Sequence, residues 1–173
     1  STGVNKIVAG NLDVDIVDGN GDSLDGKTLN FVNKENQSNI LWEPGVTFHT
    51  EGFRIKNGGN LALKWKAVVN KGTTAANEGN FDLLDVIDFY LVKGTGESQT
   101  ETPLNEFTGN LKKTETSDVY YIKGVMQTTA GNDYQDLTLD GITITVYATQ
   151  LNSEVDSFGP DYDKFADYPE VQP

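Results

Sequence analysis

The chain has 173 residues, enough for one domain of ordinary size with a two-layer core. Lys plus Arg number 13 and Asp plus Glu 26, a net charge of -13, which disfavours nucleic acid and anionic membrane as partners because each phosphate contact calls for a cation. No cysteine is present, so disulfides, thiolate catalysis, Cys-ligated zinc and iron–sulfur clusters are excluded. No apolar run approaches the roughly 18 residues of a membrane span. Ser1 opens a polar segment with neither a basic nor an apolar leader region, so any secretion signal is expected to have been removed already.

The dominant period is two, the pattern of half-buried strands. Leu12, Val14 and Ile16 alternate with Asp13, Asp15 and Val17, which turns aliphatics to a core and carboxylates to water. Leu29 and Phe31 repeat the pattern after a Gly/Asp-rich turn. Ile40, Leu41 and Trp42 then precede the breaker Glu43-Pro44-Gly45. Phe53 and Ile55 alternate with Arg54 and Lys56, and Asn57-Gly58-Gly59-Asn60 supplies residues tolerant of positive φ. Leu61, Leu63, Trp65, Ala67 and Val69 follow, alternating with Ala62, Lys64, Lys66 and Val68. The whole unit is predicted to be a β-hairpin with one apolar face.

A polar loop over residues 70–79 leads to Asn80, the predicted N-cap of one or two helical turns carried by Phe81, Leu84 and Asp85. A strand returns over 86–93 with Ile87, Phe89 and Leu91 on one side. Residues 94–105, rich in Thr and Glu, read as a loop, 119–126 as a strand and 131–135 as a short helical turn. Ile142, Ile144, Val146 and Ala148 alternate with Thr143, Thr145, Tyr147 and Thr149 in a closing strand. After Gln150 the periodicity stops. The prediction is all-β and mainly antiparallel: a jelly-roll-like two-sheet β-sandwich with one or two short helices in crossover loops. Residues 1–9 form an N-terminal segment, 10–150 the sandwich and 151–173 an acidic extended tail.

Asp18, Asn20, Asp22 and Asp25 are candidate calcium ligands, because oxygen atoms at alternate positions of a Gly-rich turn can converge on one hard cation. Ser23 stands where the sharp turn wants Gly, Leu29 stands where a bidentate Glu belongs, and no helices flank the loop. The same residues therefore also read as a solvated turn in which Gly, Asn and Asp serve backbone geometry. No other cofactor is required. Glu154, Asp156, Asp161, Asp163 and Asp167 form a second acidic set, read as a solvated tail. His49 is the one histidine and falls on a predicted strand. A zinc peptidase wants two His and a carboxylate, and no G-x-S-x-G is present for serine hydrolysis. The chain is therefore expected not to be an enzyme. Trp42, Trp65, Tyr120, Tyr121, Tyr134 and Tyr147 would stack on sugars where they face outward, although Trp65, in phase with Leu61 and Leu63, reads as core. A secreted carbohydrate-binding or adhesin module is the second functional reading.

Several segments, taken in order, resemble the TasA/camelysin family. Val8-Ala9-Gly10-Asn11-Leu12-Asp13-Val14 is similar to the opening strand of its mature members, and Glu43-Pro44-Gly45 to its Pro-Gly turn. Phe53-Arg54-Ile55-Lys56-Asn57-Gly58-Gly59-Asn60-Leu61-Ala62-Leu63-Lys64 resembles its central hairpin. Leu139-Asp140-Gly141-Ile142-Thr143-Ile144-Thr145-Val146-Tyr147-Ala148-Thr149-Gln150 resembles its last strand. Asp156-Ser157-Phe158-Gly159 and Tyr162-Asp163 resemble its acidic ending. The resemblance implies a jelly roll, secretion by a Gram-positive cell, no membrane contact after signal removal, and a place in biofilm matrix fibres. It also implies head-to-tail self-assembly, alongside an accessory matrix protein, by donor-strand complementation. Residues 1–9 are then the donor, anchored by Val4, Ile7 and Val8. Family members carry aromatic residues ahead of this segment, which implies that part of the donor precedes Ser1. Camelysin has been described as a protease, so a metalloprotease is the third reading, with His49 as the one available imidazole. A charge of -13 makes self-association costly unless acid or cations neutralise it.

Overall fold

A computed structural model describes residues 3–8, 13–27, 29–33, 35, 40–70, 82–94, 96–134 and 143–151. Its strands are β1 (Gly3–Val8), β2 (Val14–Val17), β3 (Phe31–Val32), β4 (Thr47–Thr50), β5 (Arg54–Asn57), β6 (Leu63–Asn70), β7 (Ile87–Lys93), β8 (Thr100–Pro103), β9 (Gly109–Leu111), β10 (Tyr120–Met126) and β11 (Thr143–Gln150). They form a four-stranded sheet in the order β1-β11-β6-β9, a five-stranded sheet β3-β4-β10-β7-β8 and a small sheet β2-β5. The fold is an all-β sandwich, mainly antiparallel, with short 3-10 turns and no α-helix among the described residues. The third sheet is additional to the two expected. Bridges Phe53–Tyr120 and Lys56–Thr116 tie β5 to the segment entering β10, so this small sheet continues into the five-stranded one.

The two-residue period does place the core. In β10, Tyr120, Ile122 and Met126 are buried while Tyr121, Lys123 and Val125 are half-buried on the other face. Leu63, Trp65 and Ala67 of β6 point inward with Val146 and Ala148 of β11, and Val14, Ile16 and Ile55 join the same cluster. Two aromatic groups anchor it. Trp42 meets Phe31 at 5.5 Å and Phe48 at 4.9 Å between ring centroids. Trp65 meets Phe107 and Tyr120, each at 5.1 Å. The edge-to-face pairs among them, Trp42 with Phe31 and Phe48 and Trp65 with Tyr120, each add about 0.5–1.5 kcal/mol beyond their area. Leu41, next to Trp42 in the chain, is 57% exposed.

The expected hairpin over 53–69 is not one. β5 pairs with β2, whereas β6 pairs with β11 and β9, so the two strands lie in different sheets. An apolar face on each of two successive strands fits a hairpin, and it fits equally an arch whose strands face each other across the core. The corner between them uses no positive φ at residues 57–60. Asn57 builds it instead: the side chain is 1% exposed, Nδ2 donates to the carbonyls of Leu61 (2.9 Å) and Lys112 (3.0 Å), and Oδ1 accepts from the Gly59 N–H. Gly58 permits close approach, since a Cβ there would lie 2.5 Å from an Asp13 carboxylate oxygen.

Other differences are local. The helical turn after the 70–79 loop is a 3-10 turn, Leu83–Val86, capped by Asp82, whose side chain accepts from the Leu84 N–H; the expected cap, Asn80, lies outside the described residues. The expected 94–105 loop contains β8 between 3-10 turns Gly96–Ser98 and Leu104–Glu106. Beyond Leu151, which is buried, the expected tail lies outside the described residues.

Tyr120 carries a pH dependence. It is 5% exposed, and burial first, then the charges of Asp118 and Glu115, push its phenol from 10 up to about 12. The folded chain therefore holds this proton more tightly than the unfolded chain. Stability is unaffected by this group below about pH 10 and falls as pH rises from there through 12, by at most about 3 kcal/mol. Tyr120→Phe is expected to remove that alkaline slope in urea-denaturation midpoints; an unaltered slope would assign it to another group.

Candidate assembly edge

β1 occupies the margin of the four-stranded sheet through a six-residue parallel ladder, from Gly3 opposite Thr143 to Val8 opposite Ala148. Val4, Ile7 and Val8 hold register with Ile144, Tyr147 and Ala148. The segment expected to reach a neighbour thus lies, in the single chain, on its own β11. It is the one parallel pairing among the described strands. Parallel ladders are slightly weaker per residue than antiparallel ones, and they need a long crossover rather than a tight turn. Here the crossover is the whole intervening sandwich. On its C-terminal side β1 connects through residues 9–13 to β2, which belongs to another sheet. If β1 departs, β11 remains held by its eight-residue antiparallel ladder with β6 and presents residues 143–148 as an edge.

A second margin lies along β6. β9 pairs only with Leu63, Lys64 and Trp65. Beyond Trp65 the 3-10 turn Leu104–Glu106 replaces strand pairing, and a cavity of about 390 Å³ opens beside Ala67, Val68 and Val69, walled by Phe89, Tyr90 and Leu104.

The calcium candidates behave as a turn. Asp18 Oδ1 accepts from the N–H groups of Asn20 (2.8 Å) and Asp22 (3.0 Å), the Asp18 N–H donates to the Asp22 carbonyl, and Gly21 adopts φ +87°. The Asp25 N–H donates to Ser23 Oγ, which itself donates to Asp15 Oδ1. The Asp18 carboxylate thus serves its own backbone. No group of three or more His, Cys, Asp or Glu side chains converges on a metal position among the described residues. The second acidic set, Glu154 to Asp167, lies outside the described residues.

His49 is exposed on β4, with Nδ1 3.1 Å from its neighbour's carbonyl at Thr50, and its ring meets Tyr121 edge-on at 5.9 Å. Trp42, Trp65 and Tyr120 are buried, whereas Tyr121, Tyr134 and Tyr147 are half-buried. Sequence periodicity missed the short strands β8 and β9 and with them both the β6 margin and one wall of the outer cleft described below. Their only signals, Thr102 with Leu104 and Gly109 before Leu111, are too short to carry a period. No protein-family profile matches this chain, and no curated protein sequence matches it.

Proposed function

We propose that the chain is a secreted, extracellular structural protein, a subunit of biofilm matrix fibres of the TasA/camelysin kind, rather than an enzyme. Subunits join head-to-tail: β1 of one copy leaves its own β11 and fills the β11 edge vacated in the next, with Val4, Ile7 and Val8 as anchors. The observation that supports this most is the marginal, parallel β1 ladder. The ladder lost within a subunit is the ladder gained between subunits, so exchange is near neutral in pairing. Each copy gives one strand and receives one, a heterologous contact that does not close and so propagates. The β6 margin is the other seat at which an extended segment, including one from an accessory matrix protein, could add.

Copies of charge -13 repel one another, so acid or divalent cations favour assembly. The protease reading lacks support because His49 is the single histidine of the chain. Removing residues 1–9 tests the reading directly. The full chain is expected to form filaments on concentration, seen by electron microscopy, and the truncated chain to stay monomeric with its sandwich intact by circular dichroism. Filaments from the truncated chain sink the donor-strand reading.

A further inference from the structure

We propose that the outer face of the five-stranded sheet binds a neutral polysaccharide, one or two hexose units at a time, in a cleft that the assembly edge does not use. The cleft has a volume of about 410 Å³ and is lined by His49, Val92, Gln99, Glu101, Tyr121 and Lys123. Its parts come from four neighbouring strands. Register sets Lys123 between His49 of β4 and Tyr90 of β7, and sets Val92 between Tyr121 of β10 and Glu101 of β8. These side chains lie on the face opposite Leu91 and Ile122, which belong to the core cluster.

The chemistry of the lining selects the ligand class. Val92, 5% exposed, gives an apolar floor. Tyr121 and His49 form an aromatic wall with their rings at 68°, and Tyr90 flanks Lys123, whose ammonium stands 5.1 Å from the ring centroid. Around this apolar centre lie an amide, a carboxylate, an ammonium, an imidazole and a phenol, which together donate and accept hydrogen bonds. A few placed polar groups over an apolar, aromatic floor are the usual makeup of a small-ligand site of this size. A pyranose offers the complement: an apolar C–H face for the ring wall and a rim of hydroxyls for the polar groups. Charge argues against an anionic ligand. Lys123 is already neutralised by its ion pair with Glu101, and the chain's -13 repels anions at long range. A cationic ligand has one exposed carboxylate to meet, and that carboxylate is held by Lys123.

Lys123 also fixes the Glu101 carboxylate above the floor, so that Glu101 enters binding oriented and with less side-chain entropy to lose. Cellohexaose, maltohexaose and chitohexaose, titrated separately into the full chain by isothermal calorimetry and by backbone-amide NMR, test the proposal. At least one is expected to bind with a dissociation constant of about 1 mM or tighter, shifting amides of His49, Val92, Glu101 and Tyr121. Tyr121→Ala and Glu101→Gln are expected to weaken that binding by about tenfold or more, with the sandwich still folded by circular dichroism. No heat and no shift with any of the three glycans overturns the proposal. So does binding that both variants leave intact, or shifts confined to another face. None of these outcomes depends on filament formation, so the test stands whether or not β1 exchanges between subunits.

Discussion

Gly109→Ala is expected to destabilise the folded chain by about 3 kcal/mol or more, the upper range for overpacking a core. Gly109 sits opposite Trp65 in the β6–β9 ladder. A Cβ at Gly109 would lie 2.3 Å from Trp65 Nε1 and 2.4 Å from Cε2, inside contact distance with a rigid ring. The indole cannot swing aside, because Trp65 is fully buried between Phe107 and Tyr120. Its N–H has no hydrogen-bond partner among the described residues, a standing cost of about 1–3 kcal/mol. Urea denaturation of the single variants and of Gly109→Ala combined with Trp65→Leu gives the coupling directly. Shrinking the ring relieves the clash, so the added cost of Gly109→Ala in the Trp65→Leu background should be well under half its cost alone. A midpoint for Gly109→Ala close to that of the parent chain would contradict this packing.

The second large effect concerns assembly. Val4→Cys with Ile144→Cys places one thiol pair across the β1–β11 ladder in a chain that otherwise has no cysteine. Adjacent strands lie about 4.8 Å apart, within the roughly 4.4–6.8 Å between Cα atoms that a disulfide spans. Oxidation of the monomer is expected to lock β1 on its own β11 and abolish filaments, and reduction to restore them. Oxidation after assembly is expected to join each subunit to the next, giving a ladder of covalent oligomers on a non-reducing gel. Filaments grown from the pre-oxidised monomer, or covalent monomers recovered from oxidised filaments, would show that β1 stays at home. Either result counts against strand exchange whatever the glycan titrations return.

Much of the interior was legible in the residues themselves. Alternation of side chains across a strand is a local property, set by the backbone of a few consecutive residues. Val14 and Ile16, Leu63 with Trp65 and Ala67, Ile87 with Leu91, and Val146 with Ala148 are therefore inward both in the pattern and in the fold. The Glu43-Pro44-Gly45 turn is local too, and Gly45 takes φ +86° there. β1 was not legible as a strand of its own sheet, because by itself it shows no longer period. The outer cleft was half visible: its Tyr and His were named, but nothing in the sequence told which would share a face.

What the sequence alone determined is where strands β2, β6, β7, β10 and β11 run and which of their large apolar side chains avoid water, since both follow from periodicity within a few residues. Only the tertiary structure decided who pairs with whom. It sent β5 and β6 to different sheets, because an apolar face does not say whether its partner lies beside it or across the core. It set β1 parallel on β11, a contact between residues about 140 positions apart whose loop-closure entropy no local pattern records. It also matched Gly109 to Trp65 and gathered His49, Tyr121, Lys123 and Glu101 onto one face, because register between distant strands is fixed only when the whole sandwich closes.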